Sequence, residues 1–88
     1  MVAKRVFFSG RVQGVGFRYT TFDISRDYDV VGFVENLRDG RVHLEVNGSD
    51  DEVAKFIAAI QAKMAGNISN IDSQPIDNFE AQSFEIRR

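Results

Sequence analysis

Residues 30–48, VVGFVENLRDGRVHLEVNG, leave this chain few ways to fold. The second half alternates strictly, with Val42, Leu44 and Val46 on one side and Arg41, His43, Glu45 and Asn47 on the other. Alternation of period two marks a half-buried strand. The first half is β-branched and aromatic, and the LRDG between the halves is a hairpin signal. Parity then selects the register. A two-residue loop at Asp39-Gly40 would set Val34 opposite Glu45. A three-residue loop, Arg38-Asp39-Gly40 with Gly40 left-handed, sets Val34 opposite Leu44 and Asn36 opposite Val42. Only the second aligns the apolar faces, so it is the expected one. It also puts Asn36, a polar residue, at the end of its strand on the core-facing side.

The other elements follow from their periods. AKRVFFSG reads as a first strand stopped by Ser9-Gly10. From about Arg18 to Tyr28, Phe17, Ile24 and Tyr28, with Thr21 between, fall at helical spacing. SDDEVAKFIAAIQAKM is the clearest helix, with Ser49 and Glu52 as a capping box and Val53, Phe56, Ile57, Ile60 and Met64 as one apolar stripe. Asp50-Asp51-Glu52 there complements a helix N-terminus and is not a metal site. After Gly66, NISNIDSQPID reads as an irregular strand that Pro75 ends or bends, and AQSFEIRR closes with a short strand carrying Phe84 and Ile86. The order βαββαβ, with room for one extra short strand, predicts an α+β fold. The expected architecture is a ferredoxin-like two-layer sandwich, a mostly antiparallel sheet covered on one face by two helices, as a single domain over 1–88.

Composition closes off several function classes. Of 88 residues, 43% are hydrophobic and eight are phenylalanine, enough for a core. There is no cysteine, which removes disulfides, thiolate metal sites and cysteine nucleophiles. The single histidine, His43, cannot build a histidine metal cluster and reads as a solvent-facing strand residue. The net charge of −2 is the wrong balance for a domain that lives on phosphate backbones. No apolar run is long enough for a signal peptide or a membrane span, so a soluble cytoplasmic protein is the expectation. Asn47-Gly48-Ser49 and Asn67-Ile68-Ser69 match the glycosylation sequon and are read as chance.

The chemistry concentrates in SGRVQGVGFR, residues 9–18. Val12, Val15 and Phe17 argue against a flexible linker, and Gly10, Gly14 and Gly16 against a plain strand. A chain pinned by apolar side chains yet bent at glycines suits a backbone cradle for an anion. The helix start after it adds unpaired donors and positive partial charge, and Arg18 adds a planar fork matched to phosphate oxygens. A right-handed crossover makes the second strand parallel to the first, so its end lies at the same edge as the glycine loop. Arg18 and Asn36, eighteen positions apart, are thereby expected to converge. Other glycine motifs fail by spelling. A Walker loop needs glycine and lysine where Val15 and Gly16 stand, and a dinucleotide fingerprint from Gly14 needs glycine where Tyr19 stands.

Gly10-Arg11-Val12-Gln13-Gly14-Val15-Gly16-Phe17-Arg18 resembles the first acylphosphatase signature, G-x-V-Q-G-V-x-F-R, at every specified position. Gly32-Phe33-Val34-Glu35-Asn36-Leu37-Arg38-Asp39-Gly40-Arg41-Val42 resembles the second, G-aromatic-V-x-N-x-x-D-G-x-V, equally completely. Phe84-Glu85-Ile86 is similar to the family's final strand. The resemblance implies hydrolysis of acyl phosphates to a carboxylate and inorganic phosphate, with no metal and no cofactor. It implies that the backbone amides of Arg11, Val12, Gln13, Gly14, Val15, Gly16, Phe17 and Arg18, with the Arg18 side chain, bind the phosphate, while Asn36 orients the attacking water. The implied partners are a small-molecule acyl phosphate and inorganic phosphate as product and inhibitor. Neither nucleic acid nor membrane is implied, and the protein is expected to be a monomer. Two departures lie outside the motifs. Asp29 stands where many members have a helix-ending glycine, so a left-handed Asp29 is expected, and MAGNISN lacks the common Gly-Pro. Gln13 by itself reads as exposed loop, and Arg87-Arg88 as a solvated tail, although the family sometimes uses its C-terminus to steady the loop. A ferredoxin-like RNA binder would want an aromatic strand and a basic face. RVHLEVNG carries neither. A non-catalytic anion sensor would use the same cradle and stays open at this point.

Overall fold

A computed structural model describes residues 1–88. Seven elements follow in order: β1 (Val2–Gly10), α1 (Phe17–Ser25), β2 (Val30–Asn36), β3 (Val42–Gly48), α2 (Asp50–Lys63), β4 (Ile68–Ile76) and β5 (Phe84–Ile86). The sheet order is β4-β1-β3-β2-β5, antiparallel except for the parallel β2–β5 pair. Both helices cover one face. This is the expected α+β sandwich, with β5 as the extra short strand.

The hairpin has the register that parity selects: Val34 pairs with Leu44 and Asn36 with Val42. Gly40 takes φ 96° in the three-residue loop. Two rows of side chains result on the helix-covered face. Val6, Leu44 and Val34 form one, all fully buried. Phe8, Val42 and Asn36 form the next, nearer the end of β2. Phe17, Val53, Phe56 and Ile60 descend from the helices onto these rows and close the core.

Three local expectations need correction. Asp29 is not left-handed, since no residue other than glycine has positive φ. Its N–H instead donates to the Glu52 carboxylate at 2.7 Å, which relieves the backbone without strain. The capping box is therefore half made: Ser49 Oγ accepts from the Glu52 N–H, while the Glu52 side chain serves Asp29. Pro75 does not itself end the strand, which stops one residue later. β4 is an edge strand and runs through Pro75 to Ile76, because a proline there can turn its missing donor side to solvent.

Gly32 shows why β2 and β3 can pair so closely. At φ 145° it lies against β3, and a Cβ would stand 2.0 Å from the Glu45 carbonyl oxygen. Gly32→Ala combines a backbone collision with an unfavourable dihedral, so it should cost about 3 kcal/mol or more. Urea unfolding checks this, and a midpoint equal to that of the parent would contradict the geometry.

Candidate active site

β1 delivers the chain to Gly10, where it must bend beside β4. A Cβ on Gly10 would stand 2.4 Å from the Asn67 carbonyl oxygen, so only glycine fits at φ 121°. The Arg11 N–H then donates to that same carbonyl at 2.9 Å, and the Asn67 side chain donates to the Arg11 carbonyl at 3.0 Å. Val12 follows, 1% exposed and packed in the core. Gln13 reaches the hairpin, donating to the carbonyls of Leu37 at 2.7 Å and Arg41 at 3.0 Å. Phe17, also 1% exposed, fixes the far end through a tilted stack on Phe8 at 5.0 Å. The loop is thus held at both ends and across its middle.

Between those anchors the backbone leaves its donors free. Gly14 and Gly16 have φ 76° and 78°, and a Cβ on either would meet nothing within 4 Å. Gly16 caps α1 with no side-chain hydrogen bond, and the first intrahelical bond runs from Thr20 N–H to the Gly16 carbonyl. From Val12 to Tyr19, consecutive backbone N–H groups donate to no acceptor in the protein. The Arg11 N–H does not belong to this set, because Asn67 takes it. A run of free donors that includes a helix start is an anion site in waiting.

Most residues of this run border a cleft of ≈ 320 Å³ lined by Val12, Gly14, Gly16, Phe17, Arg18, Tyr19, Asn36, Ile86 and Arg88. Arg18 and Asn36 therefore meet at one spot, as the crossover predicts. The row Phe8–Val42–Asn36 brings this about, because Phe8 packs on Phe17, the residue before Arg18. The Arg18 guanidinium donates from Nη1 to the Arg87 carbonyl at 2.9 Å. Arg11, Gln13 and Val15 lie outside the cleft lining, and Val15 is exposed at the loop tip. At the hairpin tip the Arg41 N–H and guanidinium bind the Asp39 carboxylate. That backbone donor above all, opposed by desolvation and helped by the guanidinium, holds the Asp39 carboxyl below its ordinary range.

Several residues have more to do than the sequence reading allows. Both sequon asparagines are structural. Asn67 clamps the loop, and Asn47 is buried with its amide on the Phe79 carbonyl at 2.7 Å. Gln13 is a tie, not loose loop. The C-terminal pair is exposed but not loose, since the Arg87 carbonyl accepts from Arg18 and Arg88 lines the cleft. His43 is not solvent-facing. Its side chain is 13% exposed, and its nitrogens contact the carboxylates of Glu35 at 2.7 Å and Glu45 at 3.1 Å. The side of a strand is legible from alternation, but what neighbouring strands place there is not.

Fold and site together define a class: a small α+β sandwich whose cleft joins a glycine-bent loop, a helix start, an arginine and a strand-end asparagine. The acylphosphatase family profile matches residues 4–86. An acylphosphatase of Archaeoglobus fulgidus is 37% identical over 91 residues, covering 98% of each chain. One from Trichormus variabilis is 44% identical over 89 residues, covering all of this chain and 88% of the other. The crystal structure of acylphosphatase from Bacillus subtilis superimposes over the whole of both chains with a TM-score of 0.87 at 28% identity. The chain belongs to the acylphosphatase family, and its function is acylphosphatase activity.

Gly14 separates loop shape from stability. Because its missing Cβ faces open space, Gly14→Ala should lose only about 1–2 kcal/mol from the left-handed dihedral. Relaxation out of that dihedral re-aims the loop amides, so the variant should weaken competitive inhibition by phosphate about tenfold or more, the worth of one charge-assisted hydrogen bond. Urea midpoints and phosphate Ki check both halves, and unchanged inhibition in a folded variant would remove Gly14 from the cradle.

Proposed function

We propose that this chain hydrolyses acyl phosphates by holding the phosphate on the backbone N–H groups of Val12 to Arg18 and on the Arg18 guanidinium, while Asn36 orients the attacking water. The observation that carries the reading is the run of unpartnered N–H groups from Val12 to Tyr19, six of whose eight residues line a cleft that also holds Asn36. Buried or cleft-facing N–H groups need acceptors, and a phosphoryl group brings three oxygens to satisfy them.

The steps then follow from charge. The P–O bond to the acyl group breaks as the water oxygen bonds to phosphorus. The carboxylate leaves with the bond's electron pair, and a phosphate oxygen takes the water proton, giving carboxylate and inorganic phosphate. A carboxylate is stable enough as a leaving group that no general acid is required. A loose phosphoryl transition state asks for positioning and charge stabilisation more than for a strong base. Preorganised amides and a guanidinium meet that need without reorganising. We take the chain to work as a monomer on small molecules, and we place that monomer in the cytoplasm. No helix is long and apolar enough to cross a membrane.

Arg18 and Asn36 should fail differently, which separates an enzyme from an anion sensor. Arg18 meets phosphate in both ground and transition states, so Arg18→Ala should weaken phosphate inhibition and nearly abolish turnover. Arg18→Lys should rescue little, because an ammonium lacks the planar fork. Asn36 meets water, so Asn36→Ala should leave phosphate Ki nearly unchanged while kcat falls on the order of 10²-fold. These values come from benzoyl phosphate hydrolysis, with the fold checked by circular dichroism. A folded Asn36→Ala variant with full kcat would refute the water-positioning role. A parent that binds phosphate without hydrolysing acyl phosphate would make it a sensor.

Because amides and Arg18 carry the phosphate charge in this mechanism, excess EDTA should leave activity unchanged. A large loss restored by Mg²⁺ or Zn²⁺ would contradict it.

A further inference from the structure

The face of the sheet turned away from the helices carries a row that the catalytic reading does not use. Phe7 on β1 stacks on its cross-strand partner His43 on β3, with centroids 5.0 Å apart and planes at 16°. His43 and Phe33 on β2 meet edge to face, with centroids 5.3 Å apart and planes at 85°. The Arg87 guanidinium, just beyond β5, lies over Phe33 at 3.6 Å from the ring centroid. The Arg41 guanidinium closes the other end of the row, 4.4 Å over Phe7. Glu35 and Glu45 hold the two nitrogens of His43, and Arg5 pairs with Glu45 at 2.9 Å. The row thus crosses the strands in their sheet order and ends on the residue whose carbonyl receives Arg18.

We propose that Phe33 is a positioning residue for Arg18, acting through Arg87 from the opposite face of the sheet. This rests on the phosphate-binding role given to Arg18 above. Arg87 follows a three-residue edge strand, the kind of terminal segment that frays unless tied down. One backbone hydrogen bond, Arg87 N–H to the Val34 carbonyl at 2.9 Å, joins it to β2. The stack on Phe33 is a second tie, on a ring that is 9% exposed and fixed by His43. With the side chain held below the sheet and the N–H on β2, the Arg87 carbonyl has one place to be. Arg18 Nη1 is then aimed by an acceptor that does not drift. The aromatic position of the second motif gains a role that neither the core nor the cleft supplies.

The effect size follows from the stack. A cation–π contact on a desolvated ring is strong enough to shift the equilibrium constant between the tied and the frayed strand end about three- to tenfold. Phe33→Leu and Arg87→Met should each measurably lower kcat/KM and raise phosphate Ki, by up to that factor. The double variant should be no worse than either single one, and Phe33→Tyr should restore the parent values. Arg87 is exposed, so Arg87→Met tests the contact even where Phe33→Leu lowers stability. In an Arg18→Ala background, Phe33→Leu should change neither phosphate Ki nor residual turnover, and a merely structural role would not give that result. Parent kinetics in folded Phe33→Leu and Arg87→Met, multiplying losses in the double variant, or an undiminished effect without Arg18 would each overturn the proposal. Those outcomes leave Arg18 itself in place if Arg18→Ala is inactive. Full activity of Arg18→Ala would bring down the underlying reading as well.

Discussion

Burial of Val12 is the constraint on which the site depends. A loop carrying Gly10, Gly14 and Gly16 has ample freedom to lose on folding, and glycine loses more than any other residue. Val12 in the core and Phe17 on Phe8 fix its two ends. Gln13 and Asn67 tie its outer sides to the hairpin and to the start of β4. The glycines then decide only how the backbone turns between those ties, and Gly14 and Gly16 stand in the cleft wall. The apolar side chains between the glycines are what turn a flexible segment into a rigid array of donors.

The sheet register does the remaining assembly. A slip of one residue between β2 and β3 would carry Val34 out of the core and Asn36 to the opposite face. Stability and site geometry therefore rest on the same pairing, Val34 with Leu44 and Asn36 with Val42. The two faces divide the work. Helix-side rows hold the core and present Asn36, while the open face holds charged and aromatic groups that pair among themselves across β1, β3 and β2. The segment after β4 returns beneath that open face, where the Asn47 amide catches the Phe79 carbonyl.

What was legible in the sequence depended on local rules. The hairpin register came from parity within one stretch of nineteen residues, 30–48, and the meeting of Arg18 with Asn36 came from the handedness of one crossover. The misreadings share a different cause. His43 was assigned to solvent because its own strand alternates, but its environment is made by Phe7 and Phe33 on the two flanking strands. Glu52 was assigned to its own helix cap, but Asp29 lies nearby in space and lacks an acceptor. Asn67 looked incidental because its partner, Arg11, is 56 residues away in the chain. Polar side chains that join distant segments leave no periodic trace, since one hydrogen bond has no pattern to repeat. The motif resemblance pointed to the loop and Asn36, whereas the ties that hold them needed the three-dimensional arrangement.

The central claim is that the amides from Val12 onward form one anion cradle together with Arg18. A titration of ¹⁵N-labelled protein with inorganic phosphate, followed by backbone amide and arginine Nε chemical shifts, tests it most directly. The account predicts that the amides between Val12 and Tyr19 and the Arg18 Nε shift together along one saturable curve, while the amides of β4 and of residues 77–83 stay still. Saturable shifts centred on any other surface, or none in the loop at concentrations that inhibit hydrolysis, would contradict it.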